Sequence, residues 1–273
     1  FQAISYYTRK RGKVNKVSKK IKPFNIGIIG LGTVSKFHLA ALQQNPDFRI
    51  TSVCDTIEEV ARGATQKSNA RVYANSTQLI QDPSTDVVVV TVPNSFHYSI
   101  VKGALEAGKH VVCEKPLTIE LAHAEELVRL ARDKNRCLFN VFHRRYNRNI
   151  EDFIADPKLH GRITDFEAHY DEYAMAHSER WIFDPRISGG GCVIENGINS
   201  LDVLLHLVGP MDVKKAKLTY ERGIEIRAEV ELSFFFGRGI LHLDYTFKGE
   251  KKDLALGTES GEIKRDFLKG FDK

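Results

Sequence analysis

The sequence predicts an α/β chain: a doubly wound parallel sheet, followed by an α+β portion built on an open, mostly antiparallel sheet. Three observations predict it. From Phe24 to about Phe142, short apolar runs alternate with helical patterns at the spacing of βαβ units. The first run ends in a glycine turn, G-x-G-x-x-S at Gly30, Gly32 and Ser35, which opens a helix. Beyond Tyr146 the pattern shifts to period-two strands. In 226–236, Ile226, Ala228, Val230, Leu232, Phe234 and Phe236 share one face, and Arg227, Glu229, Glu231 and Ser233 the other.

Taken in order, strands are expected at 25–29, 48–54, 70–73, 86–92, 109–113 and 137–142, and helices at 34–44, 57–67, 76–81, 95–107 and 119–134. Gly30 permits a tight turn after the first strand. Gly32 lets the backbone come close to a pyrophosphate, and Ser35 is small enough for helix–strand packing. The helix begins at Val34, just after Thr33, and its free N–H groups and positive dipole end face phosphates there. The second strand ends in Asp55, 25 residues after Gly30, near the spacing of a carboxylate that binds the adenosine ribose hydroxyls. Val87–Val90 has the composition of a central strand buried on both faces. Ligands of such sheets bind outside the carboxyl ends of the strands, which directs attention to Asp55, to Val92-Pro93-Asn94 and to Cys113-Glu114-Lys115-Pro116. A helix at 147–155, a strand at 163–173, a loop from Ala174 to Gly190, a helix at 193–208 and four strands between about 212 and 265 follow. The expected units are a basic tail (1–23), a dinucleotide-binding domain (24–143) and a substrate-binding and oligomerisation domain (144–273).

Composition narrows the function classes. The 273 residues are 42% hydrophobic, which suits a packed core, and no apolar run reaches the roughly 18 residues that span a membrane. Neither a secretory signal nor C-x-x-C spacing is present. The scattered Cys54, Cys113, Cys137 and Cys192 argue against a zinc or disulfide framework and fit a reducing cytoplasm, and no metal is expected. The net charge of +5 belongs to the tail: residues 1–22 carry eight basic groups and no acids, so the body carries −3. A solvated arm is expected, with no nucleic-acid or membrane partner.

The candidate chemistry sits in a few places. Glu114 and Lys115 close a strand beside the expected cofactor crevice, where the positive charge of an oxidised nicotinamide would favour Lys115 as a proton acceptor; the alternative is a surface salt bridge. Pro116 fixes the turn, and its peptide bond is a candidate for the cis form. After Gly189-Gly190-Gly191, Glu195, Asn199, Asp202 and His206 fall on one stripe of an otherwise apolar helix. Glu195 and Asn199 suit a cleft, while Asp202 and His206 read as structural, paired with each other or with a strand. Asp171, Glu172, His177 and Trp181, with His143 and Arg144, are the residue types that line a sugar site: groups that bond hydroxyls, and an aromatic face.

With these residues in view, the chain resembles the glucose–fructose oxidoreductase, inositol dehydrogenase and MocA-like family. The resemblance covers about 24–265 and rests on GIIGLG-TVS-x-x-H with His38, on VPNSFH, on EKP at 114–116 and on GGG-x-x-x-E-x-G-x-N-x-x-D at 189–202. It implies a Rossmann domain and an NAD(P)-dependent oxidation of a sugar, cyclitol or polyol, with Pro93, Asn94, His97 and Glu114 at the cofactor and Lys115 at the reaction centre. Asn199 stands where the family commonly has a catalytic His, and a neutral amide cannot take a proton. Base catalysis then falls to Lys115, Glu195 or another group. The GIN triplet is similar to the aldose 1-dehydrogenase branch, whose acid and His map by spacing onto Asp171 and His177. The family's usual further strand and helix do not follow residue 265. The expectation is therefore oxidation of an aldose C1 hydroxyl to a lactone with NAD, since Asp55 repels a 2′-phosphate. The alternatives are a cyclitol or glycoside ring-hydroxyl dehydrogenase and, from another class, a non-catalytic NAD-binding regulator. A homo-oligomer, dimer or tetramer, is expected through the C-terminal sheet.

Overall fold

The computed structural model describes residues 22–65, 69–155, 161–177 and 180–266. The expected basic tail therefore lies outside the described residues except at Lys22 and Pro23. The first sheet contains β1 (Phe24–Ile29), β2 (Phe48–Cys54), β3 (Arg71–Tyr73), β4 (Val87–Val90), β5 (His110–Glu114) and β6 (Leu138–Val141). Their order is β3-β2-β1-β4-β5-β6, and every pairing is parallel. Helices α1 (Ser35–Gln44), α2 (Glu58–Thr65), α3 (Ser76–Gln81), α4 (His97–Glu106) and α5 (Leu121–Asp133) connect the strands. Strand order reverses between β1 and β4, so a crevice opens there beyond the strand ends. Ile26, Ile28, Val88, Val90 and Val111 are buried at the centre, as strands covered on both faces require.

The second sheet follows α6 (Arg148–Ala155). It contains β7 (Ile163–Glu172), β8 (Met211–Glu221), β9 (Ile224–Phe234), β10 (Gly237–Asp244), β11 (Glu250–Thr258) and β12 (Gly261–Asp266), in the order β12-β11-β7-β10-β9-β8. Among the described residues five strands, not four, follow residue 210. The last, the short β12, pairs with β11 across a tight turn at Glu259–Ser260. The sheet is antiparallel apart from the β7–β10 pair, which is parallel. Its inner face, with Phe166, Ala168, Leu241, Leu243, Leu254 and Leu256, packs on α8 (Ile198–Val208), which follows the single turn α7 (Pro185–Ser188) and whose Val203 and Leu204 are wholly buried. Each of those two side chains contributes about 1.5–3 kcal/mol by leaving water.

The expected helix at 193–208 opens with a π turn over Val193–Gly197 before α8 begins. The Gly189–Gly191 run explains the close packing there. Gly189 has φ +81°, and a Cβ on it would meet the Ile119 side chain at 2.6 Å; a Cβ on Gly191 would sit 2.0 Å from the backbone oxygen of Glu225. The glycines thus seat this segment between the loop after β5 and the start of β9.

The outer face of the second sheet is polar, carrying Glu167, His169, Asp171, Arg227, Glu229, His242 and Asp244. Phe236 does not share the inner face with Phe234. It lies in the β9–β10 turn beside Phe235, and the two are 51% and 87% exposed.

Candidate active site

The glycine turn has the form a dinucleotide requires. Gly30 adopts φ +88°, and a Cβ there would sit 2.8 Å from Thr91 O. A Cβ on Gly32 would meet nothing within 4 Å, so open space lies against this turn. Ser35 is buried and donates to Gly32 O at 2.7 Å, while Thr33 and Val34 are exposed at the uncapped start of α1. Asp55 also braces the turn: its Oδ2 accepts from Leu31 N at 2.7 Å and its Oδ1 from Ile57 N at 2.9 Å. Open space, free helix-terminal N–H groups and a carboxylate at the end of β2 fit a dinucleotide.

The strand ends beyond β4 and β5 meet the second domain at Glu195. Lys115 Nζ donates to Glu195 Oε2 at 3.0 Å and to Glu195 O at 2.8 Å. Asn94 Nδ2 donates to Glu195 Oε1 at 2.7 Å and to Ser188 O at 2.9 Å, so this amide spends its protons on the second domain. Asn199 Nδ2 donates to the same Glu195 carbonyl at 3.2 Å. Asn199 is buried, and its Oδ1 has no partner among the described residues. Lys115 and Glu195 are mostly but not wholly enclosed, at 15% and 13% side-chain exposure, which leaves them open to a ligand. Glu114 Oε1 pairs with His38 Nε2 at 2.8 Å, and the Lys115–Pro116 bond is cis. His97, beside Pro93, lies between Pro116 O (2.7 Å) and Val92 O (2.8 Å) and ties the two strand-end loops together. Burial outweighs these two acceptors and keeps its imidazole below the ordinary His range.

Facing this centre, the sheet contributes Glu172 rather than Asp171. Glu172 accepts from Asn196 Nδ2 at 3.0 Å and pairs with Lys252 Nζ at 2.7 Å. Asp171 is one residue out of phase and lies on the outer face beside His169, at 3.1 Å. The expected assignment of Asp171 to the substrate is thereby corrected, because side chains alternate along a strand. Arg144 donates to Tyr170 Oη at 3.0 Å. The protein around His143 and the adjacent Arg144 cation push the His143 imidazole down to about 4, while its ring stays in reach of water. Trp181 packs against the second core. The backbone of His177 ends a 3₁₀ turn, and its side chain lies outside the described residues.

Two expectations about the α8 stripe are also corrected. Asp202 pairs with Arg145, through Nε at 2.9 Å, rather than with His206, and His206 is exposed. Lys252 went unnoticed in the sequence. It is 6% exposed and shares the inner face of β11 with Leu254 and Leu256, and that alternation was its one signal. Burial alone would lower its pKa, but Tyr170, Glu172 and Glu250 outweigh burial and raise it. The Lys252 and Asn196 contacts likewise hold Glu172 below the usual carboxylate range despite burial.

Comparison with known proteins agrees with this fold. Residues 24–142 match the profile of an oxidoreductase family with an NAD-binding Rossmann fold, and residues 150–253 match the GFO/IDH/MocA C-terminal domain. The chain belongs to the GFO/IDH/MocA oxidoreductase family. It is 34% identical to an uncharacterized oxidoreductase of Schizosaccharomyces pombe over 88% of its own length and 66% of the relative's. It is 30% identical to scyllo-inositol 2-dehydrogenase (NADP(+)) IolW of Bacillus subtilis, over 75% of its length and 57% of that protein's. The chain thus spans less than two thirds of these curated relatives. Its fold matches levoglucosan dehydrogenase in complex with NADH and levoglucosan, with TM-score 0.83 and 21% identity, over 91% of this chain and 74% of that one. Among the described residues, no helix is long and apolar enough to cross a membrane.

Proposed function

We propose that this chain is an NAD(P)-dependent dehydrogenase that oxidises a CH–OH group of a sugar or cyclitol, with residues 24–143 holding the cofactor and 144–273 the substrate. The observation that carries the reading is the Lys115–Glu195 pair, which spans the two domains at the end of β5 and stays partly open. A bound nicotinamide would supply a hydride acceptor. The residues of this chain handle the proton. Lys115 Nζ, relieved of one proton by the Glu195 carboxylate that it touches, takes the proton of the substrate hydroxyl, and the pair ends one proton richer. Asn94 keeps Glu195 in place, and Asn199 offers its free Oδ1 to a neighbouring hydroxyl. Glu172, Arg144, His143 and Lys252 line the sheet side and orient the sugar.

NAD is favoured over NADP by the Asp55 carboxylate. The anomeric C1 hydroxyl of an aldose is the position expected from the GIN triplet. The inositol-acting relative favours a ring hydroxyl instead, because inositol has no anomeric carbon. Methyl glycosides separate the two positions. Assembly of copies through the second sheet is supported by the edge strand β8, exposed along most of its eleven residues, and by Phe235 beside it. Lys115→Ala tests the reading. Turnover should fall by about 10²-fold or more with cofactor affinity retained, as followed by fluorescence titration. Unchanged turnover would remove Lys115 from the chemistry.

A further inference from the structure

The outer face of the second sheet carries a group of side chains that the proposed reaction does not use. His169 on β7 and His242 on β10 are direct neighbours in the parallel register, and their rings stack with centroids 4.6 Å apart. Two residues before His169 on the same face, Glu167 places Oε1 at 3.0 Å from His169 Nε2 and 3.7 Å from His242 Nε2. One donor atom from each of the three residues lies within 4.8 Å of the others. A tetrahedral zinc ion with nitrogen and oxygen ligands at about 2.0–2.2 Å needs donor atoms about 3.3 Å apart. The two distances to Glu167 bracket that value.

The far side of the His169 ring has the hydrogen-bonded backing that a metal-bound histidine needs, and a carboxylate stands near the far side of His242. Asp171 Oδ2 lies 3.1 Å from His169 Nδ1, and Glu229 Oε2 lies 3.8 Å from His242 Nδ1. A carboxylate on Nδ1 holds the proton there and turns the Nε2 lone pair toward the ion. Asp171 is 7% exposed, and its Oδ1 has no partner among the described residues. A buried carboxylate with one oxygen unmatched is costly, and a cation beyond His169 would offset that cost.

We propose that Glu167, His169 and His242 form a binding site for a divalent d-block cation of the zinc type, with Asp171 as the support of His169. Two imidazoles and one carboxylate suit zinc rather than magnesium or calcium, and the fourth position faces solvent or a neighbouring chain. The site lies on the opposite face of the sheet from Lys115 and is independent of the proposed oxidation.

The test is isothermal titration of zinc chloride alone into the tag-free full chain, after stripping with a chelator. Wild type should bind one ion per chain. His242→Ala should weaken binding at least tenfold, and Asp171→Asn should weaken it about 10–100-fold. If His242→Ala does not fold, as judged by circular dichroism, Glu167→Gln at the exposed end of the cluster serves in its place. Visible bands of tetrahedral cobalt in wild type, lost in the variant, would support the assignment independently. No binding at submillimolar zinc, or binding that His242→Ala and Glu167→Gln leave unchanged, would overturn it.

Discussion

At the residue scale, the site depends on a few charges held between the two domains. Glu195 is the hub, accepting from Lys115 and Asn94 through its carboxylate and from Lys115 and Asn199 through its carbonyl. Glu195→Gln keeps the shape but removes the proton sink, so turnover should drop steeply while the Michaelis constant for the cofactor changes little. Equal turnover in steady-state assays would contradict the coupled-pair mechanism. His143 makes a second prediction at this scale. Its pKa in the fold is about 4, against 6.5 for an unperturbed imidazole, so the unfolded chain binds a proton that the folded chain refuses between these values. Its contribution to stability is therefore full above 6.5 and is lost as pH falls from 6.5 toward 4. NMR titration of the ring should give a midpoint near 4, and His143→Asn should flatten the pH dependence of the melting temperature across that window.

Particular residues show what was legible at this scale. Lys115, Glu195 and Asn199 stood out because motif spacing fixes them close to strand and helix ends. The assignment of Asp171 failed on a single-residue slip. Period-two alternation reverses faces with each step, and the phase set by Phe166, Ala168 and Tyr170 places Asp171 with Glu167 and His169 on the outer face. Lys252 belongs to a strand distant in sequence, so its part in the site appears only once β11 pairs with β7.

At the element scale, the segment from Gly189 to Val208 decides whether Glu195 reaches Lys115. Gly191→Ala would drive a Cβ into the Glu225 carbonyl, and chemical denaturation should show a loss of about 3 kcal/mol or more. A change below 1 kcal/mol would show that the segment packs differently. Lower on α8, Arg145 carries the charge of the buried Asp202 across to the turn after β6. Arg145→Ala leaves that carboxylate without its cation, and should cost about 1–3 kcal/mol once the partial exposure of Arg145 is discounted. The element pattern itself was readable from periodicity, since buried parallel strands and one-faced strands leave different signatures. The π turn at 193–197 was not, because it follows from packing against β9 rather than from any local preference.

At the scale of the whole molecule, a parallel sheet supplies the crevice and a mixed sheet supplies the wall facing it. The strand order reverses at the glycine turn, and the loops after β4 and β5 reach the second domain through Asn94 and Lys115. The Glu167–His169–His242 group on the far face illustrates what sequence spacing hides, since its members come from two strands that are 73 residues apart at the paired histidines and meet only through register. The most direct test of the central claim follows nicotinamide absorbance with NAD and NADP against a panel of aldoses, methyl glycosides and inositols. Reduction of NAD by at least one free sugar or inositol, abolished in Lys115→Ala, is the predicted result. A folded chain that binds NAD yet reduces none of it across the panel would contradict the account and favour a cofactor-binding regulator.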